Sequence, residues 1–305
     1  MASTLDYRKS RMQLACKIWG MEAVNNLFAR KRIPEDLHND LQESIMRYIA
    51  KALHFPFNEQ EVEFIARMDE AKKNRQNVTP NGGVVPKKEF ALEYNMFIRS
   101  WCEIIRELVK DGPEFLRRFR LTPNIRIKFA QELEDNVGRG LDTAYPHSDA
   151  WVEGPWGMNC HLPILGDTEN NYLHFYKLKD ENAFTDEFLS TSPDYKQMQW
   201  VMQYYEDDSI KPERGFVNLS DYALIHKTQR NSGAGSRVSI DTTIFIGDHD
   251  VHPDRELEYL NSIPRIGQNL YISCQKSELD DIENKKSQFS HYTSGNLRYV
   301  TLEEN

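Results

Sequence analysis

The stretch GFVNLSDYALIHKTQRNSGAGSRVSIDTTIFI, residues 215–246, contains two segments rich in β-branched and aromatic residues. We predict strands over residues 216–225 and over Arg237–Ile246, with His226 closing the first of them. Successive residues of a strand point to opposite faces. In the second strand, Arg237 and Ser239 therefore share one face. The opposite face is mostly apolar and suited to packing on helices, and it carries Val238, Ile240, Thr242, Ile244 and Ile246.

Three more strands are predicted upstream, over residues 125–131, 157–165 and 172–178. The strand at 157–165 places Asn159 and His161 on the face opposite Met158, Cys160, Leu162 and Ile164. The turn residues 166–170 predict that the last two strands form a hairpin. Short strands separated by turn signals favour a sandwich or barrel over a parallel sheet. A helix is expected inside this run, at 193–207.

The first third of the chain is predicted to be helical, because its apolar residues recur at helical spacing. One such series is Met12, Ala15, Cys16, Trp19, Ala23 and Leu27, and others span residues 41–53 and 94–108. We therefore predict an α+β protein in three parts. A helical segment at 1–118 packs on the sheet. A jelly-roll core spans 119–250 with a helical insertion near 180–213, and a polar segment at 251–305 covers part of the surface.

Charge and cysteine usage exclude several classes of protein. The 305 residues include 38 Lys and Arg and 47 Asp and Glu, so the net charge is −9. An acidic chain is poorly suited to gripping a phosphate backbone, and we expect no nucleic-acid partner. No apolar run is long enough to span a bilayer or to resemble a signal peptide. Widely spaced cysteines match neither a zinc pattern nor a disulfide framework, so a reduced, cytoplasmic protein is expected.

Three features that carry chemistry follow one another along the chain: His147-Ser148-Asp149, then His226, then Arg237-Val238-Ser239. Two imidazoles and one carboxylate can bind one face of a divalent metal and leave the opposite positions open. This is the geometry of non-haem Fe(II) oxygenases. If the chain is extended there, His147 and Asp149 point the same way. Arg237 offers a planar fork for a carboxylate, and Ser239 adds a hydroxyl on the same face.

This order of His-x-Asp, His and Arg-x-Ser resembles the Fe(II)/2-oxoglutarate-dependent oxygenases, which are built on a double-stranded β-helix, a cupin-like jelly roll. The likeness covers about residues 123–247 and leaves the N-terminal helices and the tail outside it. By overall layout, the chain is similar to the branch found beside sugar and aminoglycoside biosynthesis in bacteria.

The resemblance implies that His147, Asp149 and His226 ligate Fe(II). It implies that Arg237 and Ser239 bind the distal carboxylate of 2-oxoglutarate, helped by Asn159 or His161, and that O2 takes the remaining metal position. The expected activity is that of a dioxygenase, a hydroxylase of a small molecule, with desaturation, epimerisation and cyclisation as other outcomes. The long loop before His147 leaves the matching residue on the strand before it open, and the candidates there are Arg126, Lys128 and Gln131.

Each feature also has an ordinary structural explanation when it is read alone. His-x-Asp pairs are common, and a histidine closing an apolar strand is usually a core residue. The alternative function is a metal-binding, cupin-like isomerase or a carbohydrate-binding jelly roll, neither of which needs the Arg237 fork. The cluster at 248–252 is expected to be a solvated turn. Two questions stay open: whether Trp151 and Trp156 form a substrate lid or cover the barrel, and whether the N-terminal helices form a homodimer interface.

Overall fold

The computed structural model describes residues 4–85, 90–119, 123–131 and 140–246. Its α-helices are α1 (Thr4–Trp19), α2 (Glu35–Ala52), α3 (Glu61–Glu70), α4 (Ala91–Val109) and the short α5 (Ala150–Glu153). Its strands are β1 (Glu22–Asn25), β2 (Phe28–Arg32), β3 (Leu116–Phe119), β4 (Asn124–Lys128), β5 (Met158–Gly166), β6 (Asn171–Leu178), β7 (Tyr205–Asp207), β8 (Phe216–Asp221), β9 (Ile225–Arg230) and β10 (Arg237–Ile246). The segment at 251–305 and the cluster at 248–252 lie outside the described residues.

Within the described residues, the strands form two antiparallel sheets. The larger has the order β1-β2-β8-β5-β10-β3, and β4 pairs with β10 beside β3. The smaller has the order β7-β6-β9 and is extended past β9 by a bridge between His147 and His226.

The chain winds back and forth between the two sheets. β4, β5, β8 and β10 belong to the large sheet, whereas the His147 segment, β6, β7 and β9 belong to the small one. This winding of antiparallel strands is the double-stranded β-helix predicted from the sequence. The fold places His147, β9 and β10 around one interior space.

Two local predictions about strands are wrong. β5 and β6 do not form a hairpin, because β5 pairs with β8 and β10 whereas β6 pairs with β7 and β9. The strand predicted at 216–225 is broken after Asp221, whose carboxylate accepts a hydrogen bond from the backbone N–H of Ala223. The chain turns there and enters the other sheet, so His226 is the second residue of β9 rather than the end of β8.

The N-terminal helices cover the outer face of the large sheet. One continuous apolar cluster joins residues of α1, α2 and α4 to the apolar faces of β5 and β10, including Val238, Ile240, Ile244 and Ile246. Two-layer packing of this kind buries the apolar stripe of each helix and the apolar face of the sheet together. The alternation in β10 therefore leaves Arg237 and Ser239 facing the interior space.

The first helix ends earlier than its apolar spacing predicts. Gly20 has φ +62°, and the N–H of Met21 donates to the carbonyl of Cys16 at 3.1 Å, which closes α1 with a left-handed cap. Ala23 then lies in β1 and not in a helix, and the hairpin of β1 and β2 extends the large sheet by pairing with β8.

The insertion between β6 and β8 consists of 3-10 helices at Glu181–Ala183, Asp186–Leu189 and Tyr195–Tyr204, followed by β7. No helix in the described ranges is long and apolar enough to cross a membrane. The three-part division at 118 and 250 stays a prediction.

Candidate active site

His147 and His226 are held side by side by the bridge between their segments. The backbone N–H of each donates to the carbonyl of the other, at 2.8 and 2.9 Å, and the ring centroids lie 4.5 Å apart. The Nδ1 of His147 lies 2.8 Å from the carbonyl oxygen of Tyr145. Because a carbonyl only accepts, Nδ1 carries the proton and Nε2 is left as the ligand atom.

Asp149 reaches the two histidines by a route that the sequence did not predict. Its backbone is right-handed helical, with φ −61° and ψ −23°, at the start of α5. The prediction that the His-x-Asp segment is extended is therefore wrong, although His147 and Asp149 still come close enough to share a metal. One ligand atom from each of His147, Asp149 and His226 lies within 4.8 Å of the others. Asp149 Oδ2 lies 3.8 Å from His226 Nε2.

The surroundings favour neutral imidazole beside a carboxylate that needs a cation. Burial, and then His226, lowers the pKa of His147 well below its usual value. Burial also raises the pKa of Asp149. A divalent metal binds neutral imidazole and ionised carboxylate, and its charge offsets the cost of burying the carboxylate. The donor set thus fits Fe(II) or a similar ion.

Arg237 and Ser239 line the same cavity as these three ligands. The cavity holds about 340 Å³. Arg237 is 1% exposed, and its Nε and Nη1 have no hydrogen-bond partner among the described residues. Burial and the neighbouring Arg230 lower the pKa of Arg237 to about 9. A buried guanidinium without an acceptor is costly, so this position fits an anionic group such as the distal carboxylate of 2-oxoglutarate.

Asn159 and His161 both lie in the cavity, but they differ in what they contact. Asn159 Nδ2 donates to Asp149 Oδ2 at 2.6 Å, so this amide orients the candidate metal ligand. Both ring nitrogens of His161 are buried without a partner in the described part of the chain. Burial, and then Arg237, lowers the pKa of His161. A neutral His161 beside Arg237 can still donate to a bound carboxylate.

Two cavity residues that contact the candidate site, Tyr195 and Asp241, were not among the candidates drawn from the sequence. Tyr195, in the last 3-10 helix, stacks on His147 with ring centroids 4.4 Å apart and 14° between the planes. Asp241 accepts from Arg126 Nε at 2.7 Å and from Asn124 Nδ2 at 3.0 Å. Burial opposes ionisation of Asp241, but the Arg126 charge and these hydrogen bonds hold its pKa at about 2. Asp241 could have been found from the sequence, because it continues the alternation of Arg237 and Ser239 on the same face of the strand.

The two tryptophans after Asp149 pack against protein and do not form a lid. Trp151 is fully buried, and its indole N–H donates to the carbonyl of Phe188 at 2.7 Å. Trp156 lies under the guanidinium of Arg8, 4.4 Å from ring centroid to Cζ. Val152 and Glu153, which lie between the two tryptophans, line the cavity.

The cluster of two histidines and one carboxylate inside a double-stranded β-helix makes this a candidate metal site of the 2-His-1-carboxylate type. No protein-family model and no curated sequence matches the chain. Among solved structures it is similar to the non-heme alpha ketoglutarate dependent epimerase SnoN from nogalamycin biosynthesis, at 11% identity over 87% of this chain and 91% of that chain, with a TM-score of 0.41.

It is also similar to AviO1 from Streptomyces viridochromogenes Tue57, at 14% identity over 83% of this chain and 99% of that one, with a TM-score of 0.42. A further likeness is to an N-substituted L-amino acid dioxygenase from Burkholderia ambifaria AMMD, at 13% identity over 78% and 87%, with a TM-score of 0.36. At identities this low, the chemistry of the chain has to follow from its own residues.

Proposed function

We propose that this chain is a non-haem Fe(II)- and 2-oxoglutarate-dependent oxygenase that oxidises a small molecule. One observation carries the proposal: Nε and Nη1 of the buried Arg237, which have no acceptor among the described residues, lie in the same cavity as His147, Asp149 and His226. A cupin-like isomerase or a carbohydrate-binding jelly roll needs the metal ligands. Neither needs a buried guanidinium beside these ligands.

In this proposal, His147, Asp149 and His226 hold the iron, and Arg237 and Ser239 bind the distal carboxylate of 2-oxoglutarate. When bound, iron, 2-oxoglutarate and dioxygen together supply the oxidant that removes a hydrogen from the substrate. The chain itself binds and orients these groups, and it excludes water from the site.

Three contacts provide that orientation. The Tyr145 carbonyl sets the tautomer of His147, and the Asn159 amide holds the Asp149 carboxylate. The ring of Tyr195 covers one face of the His147 imidazole. Ligands held in this way lose little further freedom when the metal and the cosubstrate bind, which favours both binding steps.

The remaining cavity wall is mixed, because Leu141, Val152 and Leu173 line it beside many polar groups, and we propose a substrate that carries polar groups. The polar side chains of the wall carry amide, hydroxyl, carboxylate and guanidinium groups: Asn81, Asn124, Arg126, Glu153, Asp241, Thr242 and Thr243. A cavity of about 340 Å³ is within the usual range for a small molecule. Hydroxylation is the reaction we propose. We also propose a reducing, cytoplasmic location, because Cys16 and Cys160 carry thiols rather than disulfides.

The test is an anaerobic titration of the purified protein. We expect a weak visible charge-transfer band when Fe(II) and 2-oxoglutarate are both present, and no band with either alone. With air and a substrate, succinate should form in proportion to oxidised product. If the protein binds Fe(II) but no 2-oxoglutarate, the isomerase or binding-module alternative replaces this proposal.

A further inference from the structure

Two arginines of the first helix, Arg8 and Arg11, are buried in the interior of the protein. Arg8 is fully buried, and Arg11 is 3% exposed. Arginine is rarely buried to this degree unless its charge is paired. Because residues three apart are neighbours on a helix surface, the two side chains lie on one face of α1. Both approach the same two residues, Asp221 and Trp156, which belong to distant parts of the chain.

Asp221 connects these arginines to the turn before His226. Arg8 Nη1 donates to Asp221 Oδ1 at 2.9 Å, and Arg11 Nη1 lies 4.0 Å from Asp221 Oδ2. Asp221 is the last residue of β8, and its Oδ1 also accepts from the N–H of Ala223 at 2.8 Å. One carboxylate oxygen therefore binds both α1 and the turn that leads into β9, where His226 is the second residue.

Trp156 connects the same arginines to the segment after Asp149. Arg11 Nη2 donates to the carbonyl of Trp156 at 3.1 Å, and the Arg8 guanidinium lies over the indole, with Cζ 4.4 Å from the ring centroid. An aromatic face attracts a cation, and the attraction is stronger where water is excluded. Trp156 follows α5, the short helix that begins directly after Asp149. A hydrogen bond and a cation–π contact thus fix this segment to α1.

The two segments that α1 contacts also contact each other beside the metal ligands. Ser148, the middle residue of the His-x-Asp segment, donates from Oγ to the carbonyl of Tyr222 at 2.7 Å. At Gly157 a Cβ would lie 2.6 Å from Tyr222 Cε2, so a larger residue there would displace the Tyr222 ring. The contacts therefore run without a gap from Arg8, through Asp221 and the turn after it, to the His-x-Asp segment.

We infer that Arg8 and Arg11 are positioning residues of the metal site, and that α1 holds the two ligand-bearing segments at the spacing that the metal needs. Asp149 Oδ2 lies 3.8 Å from His226 Nε2, and ligands that are already held together lose little freedom when the metal binds. Without the arginine contacts, the two segments can move apart. This inference rests on the proposed function for the metal, but it does not involve 2-oxoglutarate.

The test measures the Co(II) affinity of the full chain by competition with a chelator, at a temperature where circular dichroism shows each variant to be folded. Co(II) is the probe because its visible absorption also reports the geometry of its ligands. The first variant combines Arg8→Met with Asp221→Asn, which leaves the net charge of the buried cluster unchanged and no new charge unpaired. We expect Co(II) to bind it about 10- to 100-fold more weakly than the wild type, with an altered spectrum.

Arg11→Met is the second variant, and it decides the question if the double variant does not fold. It removes the hydrogen bond to the Trp156 carbonyl and leaves the Arg8–Asp221 pair in place. We expect about 10-fold weaker Co(II) binding. Arg11→Lys, which keeps a charge near Asp221, should bind Co(II) more tightly than Arg11→Met does.

Ile45→Ala is the control for a general loss of stability. Ile45 is fully buried on α2 and belongs to the apolar cluster that covers the large sheet. The truncation should lower the melting temperature, because it leaves a cavity in the core. The folded protein should keep the Co(II) affinity and the Co(II) spectrum of the wild type.

The outcomes separate this inference from the proposed function. Wild-type Co(II) affinity and spectrum in both arginine variants would overturn the inference and leave the proposed function intact. An equal loss in Ile45→Ala would also overturn it, because the effect would then follow stability alone. If the wild type binds Co(II) but no 2-oxoglutarate, and the arginine variants lose Co(II) as expected, the proposed function fails and the inference stands. A wild type that binds no divalent metal would overturn both.

Discussion

Replacing Arg237 by methionine should stabilise the protein without ligands and abolish its binding of 2-oxoglutarate. The wild-type side chain buries Nε and Nη1 without an acceptor among the described residues. Leaving a buried polar group unsatisfied costs about 1–3 kcal/mol, and more for a charged one. Methionine fills similar space without polar hydrogens. We therefore expect the free energy of unfolding to rise by about 1–3 kcal/mol, which raises the melting temperature by about 2–10 °C.

The assay is thermal unfolding of the chelator-treated protein, paired with 2-oxoglutarate affinity of the metal-loaded protein. Arg237→Lys is the control, because it keeps a charge in the same place. It should give no comparable stabilisation, yet it should bind 2-oxoglutarate about 10- to 100-fold more weakly after losing the planar fork. If metal-free Arg237→Met is less stable than the wild type, the claim that the buried Nε and Nη1 of Arg237 destabilise the ligand-free protein is refuted. Unchanged affinity in both variants would place the carboxylate elsewhere.

Three further predictions concern the ligands and the fold. Asp149→Ala and His226→Ala should each lose stoichiometric Fe(II), and metal analysis that still finds one iron in both would show that the triad is wrong. Asn159→Ala should keep the ligands but bind metal about 10–100-fold more weakly, because Asp149 loses its 2.6 Å hydrogen bond; equal affinity by competition with a chelator would contradict this. A truncation lacking residues 1–118 should aggregate, because the apolar face of β10 loses its cover, and a folded, monodisperse product would refute it.

The alternation within β10 was predictable because it is a local property of an extended chain. Side chains of a strand alternate whatever the strand pairs with, so Arg237 and Ser239 had to share a face opposite Val238 and Ile240. The same reasoning placed Asn159 and His161 together on β5. Both pairs line the cavity, and their apolar neighbours lie under the helices.

The choice of sheet for each strand was not predictable from local pattern. The residues 216–225 look like one strand, but Asp221 is held by Arg8 of α1 at 2.9 Å, and the chain turns after it. An ion pair between residues so far apart in sequence leaves no local trace. The hairpin predicted from the turn at 166–170 fails for a related reason: a turn shows that the chain reverses, but not whether the strands after it hydrogen-bond to each other.

The sequence by itself determined the ligand types, their order and the faces of the strands, because these depend on residue chemistry and on the two-residue period of a strand. Only the tertiary structure decided the neighbours. It placed Asp149 at the start of α5, close to His226, and it brought the Asn159 amide within hydrogen-bond distance of the Asp149 carboxylate. It also set Lys128 opposite Arg237. These contacts depend on register between distant strands, and register is determined by burial of whole faces, which no single segment specifies.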